Sequence, residues 1–304
     1  MKTVKLNNGV EMPIVGMGTW PYKGNELKQV FRTAWELGYR AFDTASAYGN
    51  EQAIGEVIRE MGIKRDEIFL TSKITASNLL WHPHNRLGLK IPLYSVKHAY
   101  EKSCSNLGVE YLDLYLIHWP YPGYQKMWKG MSKLYHEGRV RAIGVSSFMP
   151  LHLEDLRQVS DVVPVVDQVE MNPYNSRTDV VEYCRAHNIQ PEAYSPLGRG
   201  MRTPLLLKES TLVDIAAAHN VSPAQVILRW LTQRSIVVIP RSNKPEKLEQ
   251  NFHCVDFELT DAEIEAINAL NVDDFIKGDS RDVTTAGAPT RSKCNPNPVK
   301  SVER

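Results

Sequence analysis

Short, nearly continuous apolar runs alternate along this chain with stretches in which apolar residues return every three or four positions, the pattern of buried strands exchanged with amphipathic helices. The strand runs are Ile14 to Met17, Tyr39 to Asp43, Glu67 to Lys73, Tyr111 to His118, Val140 to Val145, Val162 to Val169, Gln190 to Tyr194 and Ile236 to Ile239. Helical spacing covers about Glu26 to Leu37 and Glu51 to Met61, where Ile54, Val57, Ile58 and Met61 share a face. Pro92 opens a helix carrying Val96, Ala99, Tyr100 and Leu107, and further helices span Tyr124 to Glu137, Leu151 to Val159 and Thr178 to His187. Ser222 and Pro223 are an N-cap and first-turn proline for a helix with Val226, Ile227, Trp230 and Leu231 as its stripe. Near the N-terminus, Asn7-Asn8-Gly9 between Val4–Leu6 and Val10–Met12 signals a hairpin, a ribbon able to plug one end of a barrel.

Eight strands alternating with helices, with no linker and no shift in composition, predict an α/β fold: a closed (β/α)8 TIM barrel with an N-terminal β-hairpin. One domain is expected over residues 1–304, with its core at about 3–272 and 273–304 as a lid or flexible tail. No G-x-G-x-x-G follows a strand, which disfavours the doubly wound dinucleotide fold. The polar residues then become informative. Asp43, Lys73, His118, Ser146, Gln168, Tyr194 and Arg241 each fall at or just past the end of a strand run, and in a barrel all those ends meet on one rim.

Composition narrows the partners. A net charge of +1 on 304 residues argues against a nucleic-acid surface. No run approaches a membrane span, and the N-terminus lacks a secretory apolar core, so a cytoplasmic protein is expected. Cys104, Cys184, Cys254 and Cys294 are scattered without metal spacing, which favours buried or free thiols. His82-Pro83-His84 has no third ligand nearby, so no metal is expected. Trp81 in the same long loop, Ile74 to Ile91, reads as pocket wall or loop anchor.

Asp43, Tyr48, Lys73 and His118 form a chemically coherent set. A cation beside a phenol favours the phenolate and lowers its pKa, and Lys73 is placed to be that cation. Asp43 would keep the ammonium charged, while His118 would orient a carbonyl oxygen. A tyrosine so placed is a general acid for an oxygen that turns into an alkoxide when hydride reaches a carbonyl carbon. The hydride must come from a cofactor. Arg241, Ser242, Asn243, Lys244 and Lys247 cluster where Pro245 signals a helix start, and free backbone donors, helix dipole and cations there favour a phosphate. A hydride-carrying cofactor that bears a phosphate is therefore expected.

Along roughly residues 3 to 272 the chain resembles the aldo-keto reductase family. The matching stretches are Gly38 to Gly55, Thr71-Ser-Lys73-Ile, Leu112-Asp-Leu-Tyr-Leu-Ile-His118-Trp-Pro, Gly144-Val-Ser-Ser-Phe148, Asp167-Gln-Val-Glu-Met-Asn-Pro-Tyr174, Ala193-Tyr-Ser-Pro-Leu-Gly198, and Ile239-Pro-Arg-Ser with Asn251 downstream. The resemblance implies carbonyl reduction with extended NADPH (NADP+) in preference to NADH, and Asp43, Tyr48, Lys73 and His118 match the family's catalytic four, with Tyr48 as proton donor. It implies that Ser146 and Gln168 hold the nicotinamide carboxamide and that Tyr194 stacks on the ring. Ser195, Leu197 and Gly198 would lie along the pyrophosphate, and Arg241, Ser242, Lys247 and Asn251 would grip the adenosine end. Gly18, Thr19, Trp20, Asp43, Ser147, Asn243 and Gln250 complete the expected cofactor contacts. Trp20, Tyr48, Trp81, His118 and Trp119 would wall the substrate. Ser147 stands where the family usually has asparagine, Arg241 and Lys247 exchange the usual lysine and arginine, Gln250 replaces a common glutamate, and Met171-Asn172 differs from the usual pair.

Two other readings compete. Lys73 as a Schiff-base nucleophile would make a barrel aldolase, but Asp43 would keep that lysine protonated. A cofactor-binding regulatory barrel with weak or no turnover is the non-enzyme alternative. The pattern does not name the carbonyl substrate, the favoured direction or a monomer or dimer state.

Overall fold

The computed structural model describes residues 2–75 and 93–274; Trp81, the His-Pro-His segment and Cys294 lie outside them. Strands β1 (Thr3–Lys5) and β2 (Glu11–Pro13) form the expected antiparallel hairpin, with Val4 opposite Met12. Gly9 takes φ 86° in the connecting turn, a conformation that costs glycine nothing. Leu6 and Met12 pack with Phe69, Leu114, Leu116, Val166 and Val237, so the hairpin covers the N-terminal mouth of the barrel with apolar side chains.

The barrel strands are β3 (Met17–Gly18), β4 (Ala41–Asp43), β5 (Phe69–Ile74), β6 (Leu114–Ile117), β7 (Ile143–Ser146), β8 (Val166–Glu170), β9 (Gln190–Tyr194) and β10 (Val237–Val238). All eight are parallel and adjacent in chain order. The Val15–Val238 bridge, with Gly16 N donating to Val238 O at 2.8 Å, brings the last strand against the first and closes the ring. Each strand run of the sequence holds a strand: β9 fills the whole run Gln190–Tyr194, while β7 begins at Ile143 and β8 at Val166, because the residues before them still belong to the turns that enter the barrel.

Between the strands lie α1 (Gly24–Glu36), α2 (Glu51–Glu60), α3 (Leu93–Leu107), α4 (Tyr124–His136), α5 (Pro150–Arg157) and α6 (Thr178–Ala186). After β9 come α7 (Arg202–Leu206), α8 (Ser210–Ala218) and α9 (Pro223–Gln233), and after β10 come α10 (Pro245–Phe252) and α11 (Asp261–Asn268). Helices α7, α8 and α11 were not among the expected elements. α8 is apolar on nearly every side, Thr-Leu-Val-Asp-Ile-Ala-Ala-Ala, so no period stands out in it. α11 had a readable start, since Thr260 and Glu263 form a reciprocal capping box. The helices seal an outer apolar layer in which Phe31 stacks on Phe42 with centroids 3.9 Å apart. α2 approaches α3 closely at Gly55, where a Cβ would stand 2.5 Å from the Leu107 carbonyl oxygen. Among the described residues no helix is long and apolar enough to cross a membrane, and Cys104, Cys184 and Cys254 are buried and unpaired.

Candidate active site

The polar strand ends do gather. At the C-terminal rim they surround a cavity of about 350 Å³, lined by Asp43, Tyr48, His118, Trp119, Ser146, Gln168 and Tyr194 among others. Tyr48 ends a short turn, Ser46–Tyr48, that leaves β4 and is reversed by Gly49 at φ 64°. That turn is pinned from both sides. Ser46 Oγ donates to the Lys73 carbonyl at 2.8 Å, and Thr44 Oγ1 donates to Asn50 Oδ1 at 2.5 Å. Asn50 Nδ2 in turn donates to Thr19 Oγ1 at 3.2 Å and to the Tyr22 carbonyl at 3.1 Å.

Lys73 is fully buried on β5. Its Nζ donates to Asp43 Oδ1 at 2.5 Å and to the Thr44 carbonyl at 3.0 Å, and lies 5.3 Å from the centre of the Tyr48 ring. The His118 imidazole stands edge-on to that ring, centroids 5.5 Å apart and planes at 77°. Asp43 accepts a second bond through Oδ2, from Gln168 Nε2 at 2.8 Å. Asp43, Tyr48, Lys73 and His118 are thus one contiguous group at the cavity.

The electrostatics differ in sign from the expectation drawn for Tyr48. Burial pushes the phenol's pKa up and outweighs the opposing pull of the Lys73 ammonium; the Asp43 charge adds to the rise, while a hydrogen bond from Lys73 and the Arg199 charge lower it. The net shift is upward, so the resting phenol is protonated. Lys73 itself is raised: burial acts most strongly and downward, but the charges of Asp43, Tyr48 and Glu192 and the Asp43 hydrogen bond together overcome it. The ammonium is held charged, which a Schiff-base amine could not tolerate.

Of the expected cofactor contacts, Gly18, Trp20, Asp43, Ser146, Ser147, Gln168, Tyr194, Ser195, Leu197, Gly198 and Arg241 line the cavity. Thr19 does not; it is fully buried, with Oγ1 donating to the Asp43 carbonyl at 2.9 Å, and acts as a brace for the loop. Ser147 adopts φ 63°, a region asparagine enters more readily than serine, and its Oγ lies 3.3 Å from the Tyr194 hydroxyl. Ser242, Asn243 and Lys247 lie beyond the cavity around the start of α10, Gln250 is exposed in its last turn, and Asn251 is buried in that helix. Ser242 Oγ accepts from Lys244 N at 3.1 Å, and Asn243 Nδ2 donates to Glu26 Oε1 at 3.3 Å. Trp20 and Trp119 both line the cavity, and Trp119 Nε1 is buried with no partner among the described residues.

Sequence reasoning passed over Pro196, Arg199, Thr203, Ile239 and Pro240, which also line the cavity. Arg199 is the consequential one. Its guanidinium lies 4.1 Å over the Trp20 ring, with Arg241 on the same indole at 5.6 Å. A cation between Gly198 and Gly200 in a loop carries no local pattern that would have marked it.

Eight strands closed into a barrel, with a lysine, carboxylate, phenol and imidazole converging at their C-terminal rim, are the architecture of a barrel enzyme. The model of the aldo/keto reductase family matches residues 14–272, and the chain belongs to that family of oxidoreductases. The glyoxal reductase of Bacillus subtilis is 43% identical over 276 residues, covering 90% of this chain and 94% of that protein. The crystal structure of an aldo-keto reductase from a Medee basin deep-sea metagenome library superposes with a TM-score of 0.85 at 38% identity, covering 92% of this chain and 99% of that one. The Bombyx mori aldo-keto reductase in complex with NADP superposes with a TM-score of 0.81 at 31% identity, over 92% of this chain and 96% of that one.

Proposed function

We propose that this chain reduces aldehydes and ketones to alcohols with NADPH, and that Tyr48 delivers the proton. The observation that carries the reading is the buried Lys73–Asp43 pair beneath the Tyr48 ring, opening on the cavity beside His118. The fold relative from Bombyx mori binds NADP, and the Bacillus subtilis relative is a glyoxal reductase, so small aldehydes are the first substrates to test.

The residues present suit a phosphorylated dinucleotide. Tyr194 and Trp20 offer flat aromatic faces, Ser146 and Ser147 offer hydroxyls, and the Gln168 amide leaves Oε1 for the cavity because Nε2 is already bonded to two carboxylates. Arg241, Lys244 and Lys247 are exposed around the start of α10, and among the described residues none of them pairs with a carboxylate. Such an unpaired cationic helix start suits a phosphate. Bound NADPH supplies the hydride that reaches the carbonyl carbon.

The chain's own groups do the rest. His118 and the Tyr48 hydroxyl bracket the position of the carbonyl oxygen. As that oxygen gains negative charge, Tyr48 gives up its proton, and the Lys73 ammonium stabilises the phenolate left behind. Asp43 keeps the ammonium in place and charged. The direct test is Tyr48→Phe, which is expected to bind NADPH as the unaltered protein does while losing nearly all reduction of a generic aldehyde. A phenylalanine variant that still turns over at an undiminished rate would remove Tyr48 as the acid.

A further inference from the structure

Glu192 lies beneath the cavity and has no part in the scheme above. It sits at the centre of β9, is 1% exposed, and faces its register partner Gln168 across the β8–β9 pair. Gln168 Nε2 donates to Glu192 Oε2 at 2.9 Å as well as to Asp43 Oδ2 at 2.8 Å, so one amide nitrogen joins the two carboxyl groups. The other oxygen, Glu192 Oε1, is buried with no partner among the described residues.

The void against this side chain has no room for a water molecule and is bounded by Met12, Ala41, Phe42, Val237 and Ile239, with Asp43 and Thr71 its polar members. The charged or titratable groups facing Glu192 are Asp43 from β4 and Lys73 from β5; β8 presents the neutral Gln168 and β10 only apolar side chains. Two carboxyl groups therefore share a single ammonium, and that ammonium is bonded to Asp43. Burial, helped by the Asp43 charge, pushes the Glu192 carboxyl up to about 8 against the pull of the Gln168 bond and of Lys73.

Resting on the cofactor reading above, we propose that Glu192 is a positioning residue whose proton follows the charge of the nicotinamide: a neutral acid with NADPH bound, a carboxylate with NADP+ bound. It acts through Gln168, whose amide it holds with Nε2 inward and Oε1 toward the cavity. The ring is neutral in NADPH and cationic in NADP+, and a carboxylate joined to it through one amide is stabilised only by the cation. When NADP+ binds, the carboxyl proton leaves to solvent; when NADPH replaces it, a proton returns. No bond of the substrate is involved.

The sign follows from linkage. A carboxylate prefers the cationic ring, so NADP+ affinity rises with pH as Glu192 ionises, while NADPH affinity does not follow it. The adenosine phosphate is common to both forms and cancels in the ratio. Fluorescence titrations are expected to give a ratio of NADP+ to NADPH affinity that rises roughly tenfold between about pH 6.5 and 8.5, within the tenfold per pH unit that a single linked carboxyl allows. Calorimetry in two buffers of different ionisation enthalpy is expected to show proton release with NADP+ alone. Glu192→Gln is expected to flatten the ratio and abolish the proton release; if that variant does not fold, Glu192→Asp serves, with a displaced midpoint. A ratio constant within about twofold in the unaltered protein, or a rise that persists unchanged in Glu192→Gln, overturns the proposal. Failure to bind either cofactor at all would overturn the cofactor reading and this proposal together.

Discussion

Replacing Lys73 with methionine separates the structural from the chemical work of the buried ion pair. Lys73 is 0% and Asp43 4% exposed, so the substitution strands a carboxylate away from water. Breaking a buried pair from one side costs about 3–5 kcal/mol. Asp43 keeps its 2.8 Å bond from Gln168, which places the loss at the lower end of that range, about 3 kcal/mol. Loss of the 3.0 Å bond to the Thr44 carbonyl adds about 1 kcal/mol. Asp43→Asn alone should cost less, because the Lys73 ammonium keeps its bond to the Thr44 carbonyl and still faces the Glu192 carboxyl. The double variant Asp43→Asn/Lys73→Met removes both charges and is expected to be more stable than the sum of the singles predicts, by about 2 kcal/mol. Urea unfolding followed by tryptophan fluorescence on the four proteins reads this directly, and aldehyde reduction is expected to vanish in every variant lacking Lys73. A Lys73→Met protein destabilised by less than about 1 kcal/mol, or singles and double that add within about 0.5 kcal/mol, would refute the pair's role.

Because burial raises Tyr48 above its ordinary value near 10, the acid form persists through neutral pH. Reduction measured as kcat is expected to show no Tyr48 limb below about pH 9 and to fall as pH climbs through the raised value, since the proton to be given is then lost. Stability has the same sign: folded protein holds this proton in a window where the unfolded chain has lost it, so the contribution of Tyr48 declines as pH rises above about 10. Arg241→Ala combined with Lys247→Ala is expected to weaken NADPH binding at least about tenfold and NADH binding little, the loss falling off in high salt. Gly55→Ala brings a methyl to 2.5 Å from the Leu107 carbonyl, a clash no rotamer relieves, and a lowered thermal midpoint worth about 1–3 kcal/mol is expected by calorimetry.

The barrel was legible because its strands are buried on both sides and read as short apolar runs: β5, Phe69–Ile74, is buried at every position. The rim residues were legible for the same reason, since a Lys73 or His118 that ends such a run stands out. What escaped lies where local pattern carries no tertiary information. Arg199 follows a strand by five residues in a glycine-flanked loop, and only folding puts it on Trp20. Thr19 looked like a rim residue, yet its hydroxyl is turned to the Asp43 carbonyl and to Asn50. Glu192 fell inside a strand run and looked like a break in an apolar pattern; its bond to Gln168 exists only once β8 and β9 pair.

The same reasoning explains how a buried tyrosine with an upward-shifted pKa can serve in the acid role proposed for Tyr48. Burial and the ammonium act on different members of the acid–base pair. At rest the phenol is neutral, and its desolvation holds the proton on oxygen. Once the proton leaves, the phenolate faces Lys73, whose Nζ lies 5.3 Å from the ring centre; unit charges about 5 Å apart at an effective dielectric near 20 attract by about 3 kcal/mol, or roughly two pK units. The attraction is available only while Lys73 stays charged, and that condition is met by Asp43 at 2.5 Å. An isolated buried phenol would keep its proton throughout, and an exposed phenol beside a lysine would be screened by solvent. The site therefore needs the carboxylate as much as the lysine: neutralising Asp43 should leave the resting phenol protonated and remove the stabilisation of what it becomes.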